Sequence, residues 1–543
     1  EKSGQYAEEE TIGTAKGSGQ GEWLIIDEVS MVSANLLAEI DTRLRTIMSH
    51  VNEMKRDKTD LDRAFGGINI LFVGDFLQLD PTGGTAINAI PTAWIRRGRQ
   101  YAPGATDEHG QYLFWGQDKN SVQGVTCLTE CKRLDEEDTW LLQVQVEFRN
   151  GCVSQDMHAF LHGEHTTVSG SWMKDQAECA SVLCHTNAAL ITENNSHECD
   201  YCKAERGRRQ LVARDVLDER FLRSEFAEAP AIFPNNDIKY HVGKKRARQW
   251  CERKKLEVAW VVAQDKPKHR TYQQRPYLKK DKERWLQYHD KNCEKLHGVL
   301  ALANGLPVML VDHLDRSPDK QLLSGRVGHV LSSVEHDEEA TEAGERSERT
   351  LSHMPKVILV DFHTDAWRMP GMPKAGVYPI FPTKRTWYID GYRKDKAVLG
   401  VERYQFPLAP AFACTAHQAQ GSTQEAVIAD LLLGRGVSSI AFYIAITRVK
   451  SRAGLLIYRP FDVAPYQRGI AEGTALLLQV LAGEQVDWAS IEDKYVPRKR
   501  CGICKEVRLK ENFTKREFEE KETKCVRLQC MSDCKEDILS TSD

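Results

Sequence analysis

Two carboxylates side by side at the end of an apolar run are the first residues of this chain that could do chemistry. Trp23 to Ile26 is apolar and stops at Asp27 and Glu28, with Val29, Ser30 and Met31 after them. Such a run reads as a buried parallel strand, and acids at its C-terminal edge stand where α/β folds bind ligands. The first acid suits Mg2+, held through water, and the second can orient or deprotonate a water that attacks a γ-phosphate. A strand followed by a polar turn would show the same residues without chemistry, so the pair needs a second signal. Ile68 to Val73 supplies one. It is again nearly all apolar and ends in Gly74, Asp75, Phe76, Leu77, Gln78, Leu79, Asp80 and Pro81, with the neutral Gln78 amide placed to sense a terminal phosphate or the attacking water.

These groups need elements to hold them. Ser33 is a plausible N-cap, and Leu36, Leu37, Ile40, Leu44 and Ile47 recur at helical spacing, which predicts a helix packed back on the first strand. Far along the chain, Ala413 to Thr423 is a Thr/His/Gln/Gly-rich turn followed by an apolar strand from Ala426 to Leu433. Its hydroxyls, imidazole, amides and backbone N–H groups are donors suited to phosphates. The last fifty or so residues hold Cys501, Cys504, Cys525, Cys530 and Cys534. Four thiolates in two pairs satisfy tetrahedral Zn2+, and so short a segment has little core without metal. The expected ligands are Cys501, Cys504, Cys530 and Cys534, with Cys525 as the substitute. Cys199 and Cys202, with His197 nearby, lack a second pair and read as incidental.

At 543 residues the chain should divide into roughly three or four domains. No apolar run approaches the ~18 residues of a membrane span, so no membrane role is expected. A net charge of −4 gives no overall pull toward nucleic acid, and any such site must be a local basic groove. Lys266 to Lys295 is one basic stretch, interleaved with Tyr272, Tyr277, Trp285 and Tyr288, a composition that fits either phosphate and base contacts or a solvated helix face. Lys244 to Arg248 is a shorter basic run. The scattered cysteines suit a reducing compartment. Residues Glu335 to Ser352 are acidic and polar and read as a flexible loop.

DEVSM, followed about forty residues later by GDFLQLDP, resembles motifs II and III of the Pif1-like helicases, which are similar to the bacterial RecD helicases; Asp80 stands where the family usually has a second proline. The resemblance continues through Cys127–Arg133 and Phe148-Arg149-Asn150-Gly151 (motif IV), Ala413–Thr423 (motif V, with Gln418 and Ala419 where Lys and Ser are common) and Tyr443–Val449 (motif VI, with Thr447 for the commoner Ser). It covers roughly residues 21 to 465. It implies an α/β fold of two RecA-like P-loop NTPase motor domains. Residues 1–130 would be the C-terminal part of the first, and 131–465 the second, with a small β subdomain inserted at about 311–405. A linker and helix would follow over 466–495, then the cysteine-rich zinc module over 496–543. By the same resemblance Arg133 is an arginine finger and Arg448 a second cleft arginine, Asp27 holds Mg2+, Glu28 acts on the water, and Gln78, Gln420 and Gly421 meet the nucleotide. Thr415, His417, Gln418 and Thr423 would touch the nucleic-acid strand. The implied activity is ATP-dependent 5′–3′ unwinding of DNA in repair, recombination or telomere maintenance. Its cofactors are ATP and Mg2+, and its partners single-stranded and duplex DNA. RNA stays open as a substrate, the zinc module suits nucleic acid or a protein partner, and the expected compartment is the nucleus, with the mitochondrion as the alternative.

No G-x-x-x-x-G-K-[S/T] phosphate loop occurs in the sequence; Gly13 to Gly21 has glycines and Lys16 but no Lys-Ser/Thr pair. Opening on Glu1, the chain reads as one that starts after such a loop. The alternative is a catalytically inactive, helicase-derived scaffold that binds nucleic acid or protein.

Overall fold

The computed structural model describes residues 23–50, 63–100, 104, 106–118, 120–134, 139–163, 210–215, 218–234, 236–268, 278–335, 348–389, 399–433, 438–500 and 507–509. Cys501, Cys504, Cys525, Cys530 and Cys534, expected to hold zinc, lie outside them, as do His197, Cys199 and Cys202. The chain divides into two compact units, Glu1–Glu130 with Ile470–Asp543, and Cys131–Gly469. Both are mixed α/β. Among the described residues no helix is long and apolar enough to cross a membrane.

In the first unit β1 (Trp23–Ile26) pairs in parallel with β2 (Asn69–Phe72), in the register Ile25↔Leu71 and Ile26↔Phe72. Side chains alternate across a strand, so Ile26, Ile70 and Phe72 turn to a core that includes Leu37, Phe65, Phe76, Phe114 and Trp115. Trp23, Ile25, Leu71 and Val73 stand exposed on the opposite side. The expected helix is α1 (Ala34–His50), with Leu37 and Ala38 fully buried, although Leu36 faces solvent. Asp41 also lies on its buried side. Its carboxylate meets His109 Nε2 at 2.8 Å and accepts from Arg45 Nε at 2.8 Å and from the Phe65 N–H. Burial alone would raise this carboxyl, but those hydrogen bonds hold it below the ordinary range. His109 comes from α2 (Asp107–Trp115), whose N-cap Thr106 accepts from the His109 N–H. The helices cross so closely that a Cβ on Gly110 would lie 1.8 Å from the Ala34 carbonyl oxygen. Helices Glu472–Leu481 and Trp488–Tyr495, within the stretch read above as a linker and helix, belong to this unit, where Leu477, Val480 and Trp488 join its core.

The second unit contains α3 (Thr139–Asn150), β3 (Ala231–Phe233) and α4 (Asn236–Lys254). A mixed β region follows: β4 (Val258–Val262), β5 (Gln264–Pro267), α5 (Leu278–Trp285), β6 (Val299–Leu302), β7 (Pro307–Leu310), β8 (Val327–Val334), β9 (Glu348–Thr350), β10 (Val357–Asp361), β11 (Val377–Ile380), β12 (Thr383–Tyr388), β13 (Gly400–Gln405) and β14 (Leu408–Pro410). The chain then returns through β15 (Ala413–Thr415), α6 (Ala416–Ala419), β16 (Val427–Ala429), α7 (Ile440–Ile446) and β17 (Leu455–Ile457). Strands β15, β3, β16 and β17 form a four-stranded parallel sheet in that order. They are almost wholly buried, as apolar parallel strands covered on both faces should be. The intervening strands make a five-stranded antiparallel sheet, β11-β10-β8-β7-β14, and two three-stranded sheets, β12-β13-β5 and β6-β4-β9. Arg403 on β13 faces Asp265 on β5, fully buried, in a two-pronged pair at 2.8 Å in each arm, and also donates to the Leu296 and Trp285 carbonyls. Each charge is thus compensated, the condition for keeping an ion pair inside a core.

Candidate nucleotide and nucleic-acid site

In the first unit the acid pair sits where β1 leaves its sheet. Val73 N–H donates to the Ile26 carbonyl at 2.8 Å and Val29 N–H to the Val73 carbonyl at 3.0 Å, so the chain segments leaving the two strand ends are stitched together. Between those bonds Glu28 takes φ 53°, a left-handed conformation unusual for a side chain of its size. Strain of this kind persists only where neighbours over-determine it. The Glu28 N–H donates to Asp27 Oδ1 at 2.8 Å. Asp27 is exposed and Glu28 half-buried. Gly74 has φ 150°, and a Cβ there would meet the Val29 nitrogen at 2.8 Å, so this exit requires glycine.

The following loop is ordered by its own acid. Asp75 Oδ1 accepts from the Leu77 N–H at 2.9 Å, and the Asp75 carbonyl accepts from the Gln78 N–H at 2.9 Å. Phe76, Leu77 and Leu79 are buried while Gln78 is half-buried between them. Asp80, at the position of a family proline, accepts from Asn88 Nδ2 at 3.1 Å, and the same amide donates to Thr474 Oγ1 at 2.8 Å. A carboxylate bond thus fixes the loop there. Asp27 and Glu28 thus follow the end of β1, and Gln78 lies in the loop that follows the end of its parallel partner β2.

In the second unit the turn after β15 closes on itself. Thr415 caps α6, and Gln418 Oε1 reaches back to accept from the Thr415 N–H at 3.1 Å, a capping box. Thr415 is buried, Gln418, Gly421 and Thr423 are exposed, and His417 and Gln420 lie between those extremes. Gly421 turns the chain with φ 77°. The Gln418 side chain, read as a strand contact, has its oxygen committed to the cap.

Arg448 is only 2% exposed. Its guanidinium donates to the Ile444 carbonyl at 2.9 Å, the Ser422 carbonyl at 3.2 Å and Thr447 Oγ1 at 2.7 Å. Arg133 Nη1 donates to the Thr447 carbonyl at 2.8 Å, and Gln145 Nε2 to the Ile446 carbonyl at 3.3 Å. The two arginines therefore meet at one residue, Thr447, just past the end of α7, and Arg448 ties that helix to the motif V turn. Sequence reasoning named both arginines but missed Ser422 and the shared Thr447 seat. Thr447 was visible only as a departure from the commoner serine. Among the described residues no group of three or more His, Cys, Asp and Glu side chains is placed to hold a metal ion.

Residues 9–95 match the family model of the PIF1-like helicases. That stretch contains both motif strands of the first unit, so the resemblance read from motifs II and III is borne out there. No curated protein matches the chain in sequence. Similar solved structures include the Pif1 helicase from Candida albicans, at 17% identity over 87% of this chain and 82% of that one with a TM-score of 0.42. Another is the Bacteroides Pif1 helicase in complex with ADP-AlF3 and ssDNA, at 18% identity over 85% and 75% with a TM-score of 0.42.

Proposed function

We propose that this chain is the working part of an ATP-driven helicase that translocates 5′ to 3′ on single-stranded DNA and separates duplex, serving repair, recombination or telomere maintenance in the nucleus. The observation that carries the reading is the pair of parallel strands inside the family-matched segment, with Asp27 and Glu28 after the end of one and Gln78 in the loop after the other. Asp27 would hold Mg2+, since hard cations take carboxylate oxygens, and Glu28 would orient the attacking water. Gln78 would report on the γ-phosphate. Arg133 and Arg448 would supply positive charge to the transferring phosphoryl group, and to do so each must leave its bond to Thr447. Gln420 and Gly421 would face the nucleotide. Thr415, His417, Gln418 and Thr423 would meet the strand, with the Gln418 contribution limited to its NH2 group by the capping box. Two RecA-like motor domains and a terminal zinc module of Cys501, Cys504, Cys530 and Cys534 complete the proposal.

The phosphate loop that would cradle ATP is not in this sequence. The 543 residues alone are therefore expected to hydrolyse ATP slowly or not at all, with or without DNA. Phosphate release from ATP measured on the purified chain checks this, and robust DNA-stimulated turnover would refute it. The second reading is a catalytically inactive, helicase-derived scaffold that binds nucleic acid or protein. It predicts single-strand binding that is indifferent to nucleotide even when a phosphate loop is joined to the chain.

A further inference from the structure

Two basic stretches that the motor motifs leave unused come together in the second unit. Lys244–Arg248 lies on α4, and the Lys266–Lys295 stretch contributes α5. The two helices wall a cleft of about 380 Å3, lined by Tyr240, His241 and Lys244 from α4, by Glu283 with Leu286 and Gln287 from α5 and its end, and by Val299 of β6. That size lies in the ~300–1,000 Å3 range of small-molecule sites.

We propose that this cleft binds one nucleotide unit of a single-stranded nucleic acid, its base against the half-buried Leu286 and Val299 beside the largely buried Tyr240 and its phosphate at the Lys244 and His241 rim. The proposal extends the nucleic-acid reading above and rests on it only for the class of partner. Non-specific single-strand sites combine an aromatic or apolar platform with a cationic track, and the cleft has both. Its platform is rigid. The Tyr240 ring packs against His297 at 4.9 Å between centroids and against His289 at 5.8 Å, and those histidines flank the buried Asp290 carboxylate, with His289 Nδ1 at 2.6 Å. The charge is held too. Lys244 and Arg248 both lie over the Trp260 ring, at 5.1 and 5.5 Å; Arg248 is paired with Glu348 at 2.5 Å, which leaves Lys244 as the cation of the cleft wall. Burial, and then the neighbouring Arg248, lower the Lys244 pKa, a cost that an arriving phosphate would offset. Lys279, Lys280 and Arg284 are exposed on α5 and continue the positive surface in a chain whose net charge is −4. Glu283 is the acid among the lining residues; it repels phosphate from its own wall and can accept from a base amino group.

The test is the affinity of the full chain for a short, labelled, mixed-sequence single-stranded DNA, followed by fluorescence anisotropy. Gln287→Trp fills the cleft from an exposed position, and Lys244→Gln removes its inner cation. Each should weaken binding about tenfold, the scale of one lost stacked base. Polyglutamate should fail to compete. Variants that melt like the parent yet keep its affinity overturn the proposal. So does displacement by polyglutamate as effective as by unlabelled DNA, which would assign the cleft to an acidic polypeptide. A parent chain that binds no single strand overturns it as well. His417→Ala is the separating control: loss there with none in the cleft variants removes the cleft and leaves the motor reading standing.

Discussion

At the end of β1, Asp27 is exposed and Glu28 half-buried, and backbone bonds between Val73 and Ile26 and between Val29 and Val73 stitch that edge together. At the motif V and VI turns of the second unit, Arg448 is buried and seated on two carbonyls and a hydroxyl, Arg133 shares the Thr447 seat, and Gln418 is spent on a cap. The first edge leaves Asp27 open to solvent, whereas the second keeps its arginines in internal bonds. A functional side chain with internal bonds has two duties, so substituting it moves stability as well as activity. One that faces solvent moves activity alone.

The contrast is easiest to break at Arg448. Arg448→Ala leaves the Ile444 and Ser422 carbonyls without that donor and should cost about 3 kcal/mol in urea-induced unfolding. A variant as stable as the parent would show that the seat is not structural. In the first unit the stabilising features lie behind the edge rather than on it. Gly110→Ala pushes a methyl group into the Ala34 carbonyl oxygen and should cost about 1–3 kcal/mol or block folding, read by circular dichroism melting.

Acid sharpens the comparison further, because the second unit also buries a histidine. Burial pushes His297 down to about 4, against the partial restoring pull of Asp290 and with Lys239, His289 and Arg403 opposing the proton. An unfolded histidine titrates near ~6.5, so between these values the unfolded chain binds a proton that the folded chain refuses. Stability should be intact above about pH 6.5 and fall as pH drops toward 4, by up to about 1.4 kcal/mol per pH unit. His297→Asn should flatten that dependence, and an unchanged slope would assign it elsewhere. The smallest effect belongs to the exposed acid: Asp27→Asn should leave the melting midpoint within about 2 °C of the parent.

The sequence made the strands legible because four-residue apolar runs ending in acids or glycine leave few alternatives. It also made α1 legible, through helical spacing, apart from Leu36, whose apolarity says nothing about which way it faces. Motifs named Arg133 and Arg448 by type. Their internal partners were not legible, since Ser422 and Ile444 act through backbone carbonyls that any sequence would provide, and Thr447 through its carbonyl and a hydroxyl that serine would also supply. The basic stretches at Lys244–Arg248 and Lys266–Lys295 were ambiguous separately, being separate in sequence; only the packing of α4 beside α5 gives them a common cleft. The Asp41 network was hidden for the opposite reason, because an acid on an apolar helix face looks like a surface residue until His109 and Arg45 are placed around it.

The most direct test of the motor reading joins a strand–loop–helix bearing G-x-x-x-x-G-K-[S/T] ahead of Glu1 and first verifies, with a fluorescent ATP analogue, that nucleotide binds. Steady-state ATP hydrolysis is then measured with and without single-stranded DNA, in the parent and in Glu28→Gln. DNA-stimulated turnover is expected, falling by roughly a hundredfold or more in Glu28→Gln while nucleotide binding persists, as when a water-orienting group is lost. Nucleotide binding without DNA-stimulated hydrolysis, or hydrolysis indifferent to Glu28, would contradict the motor reading.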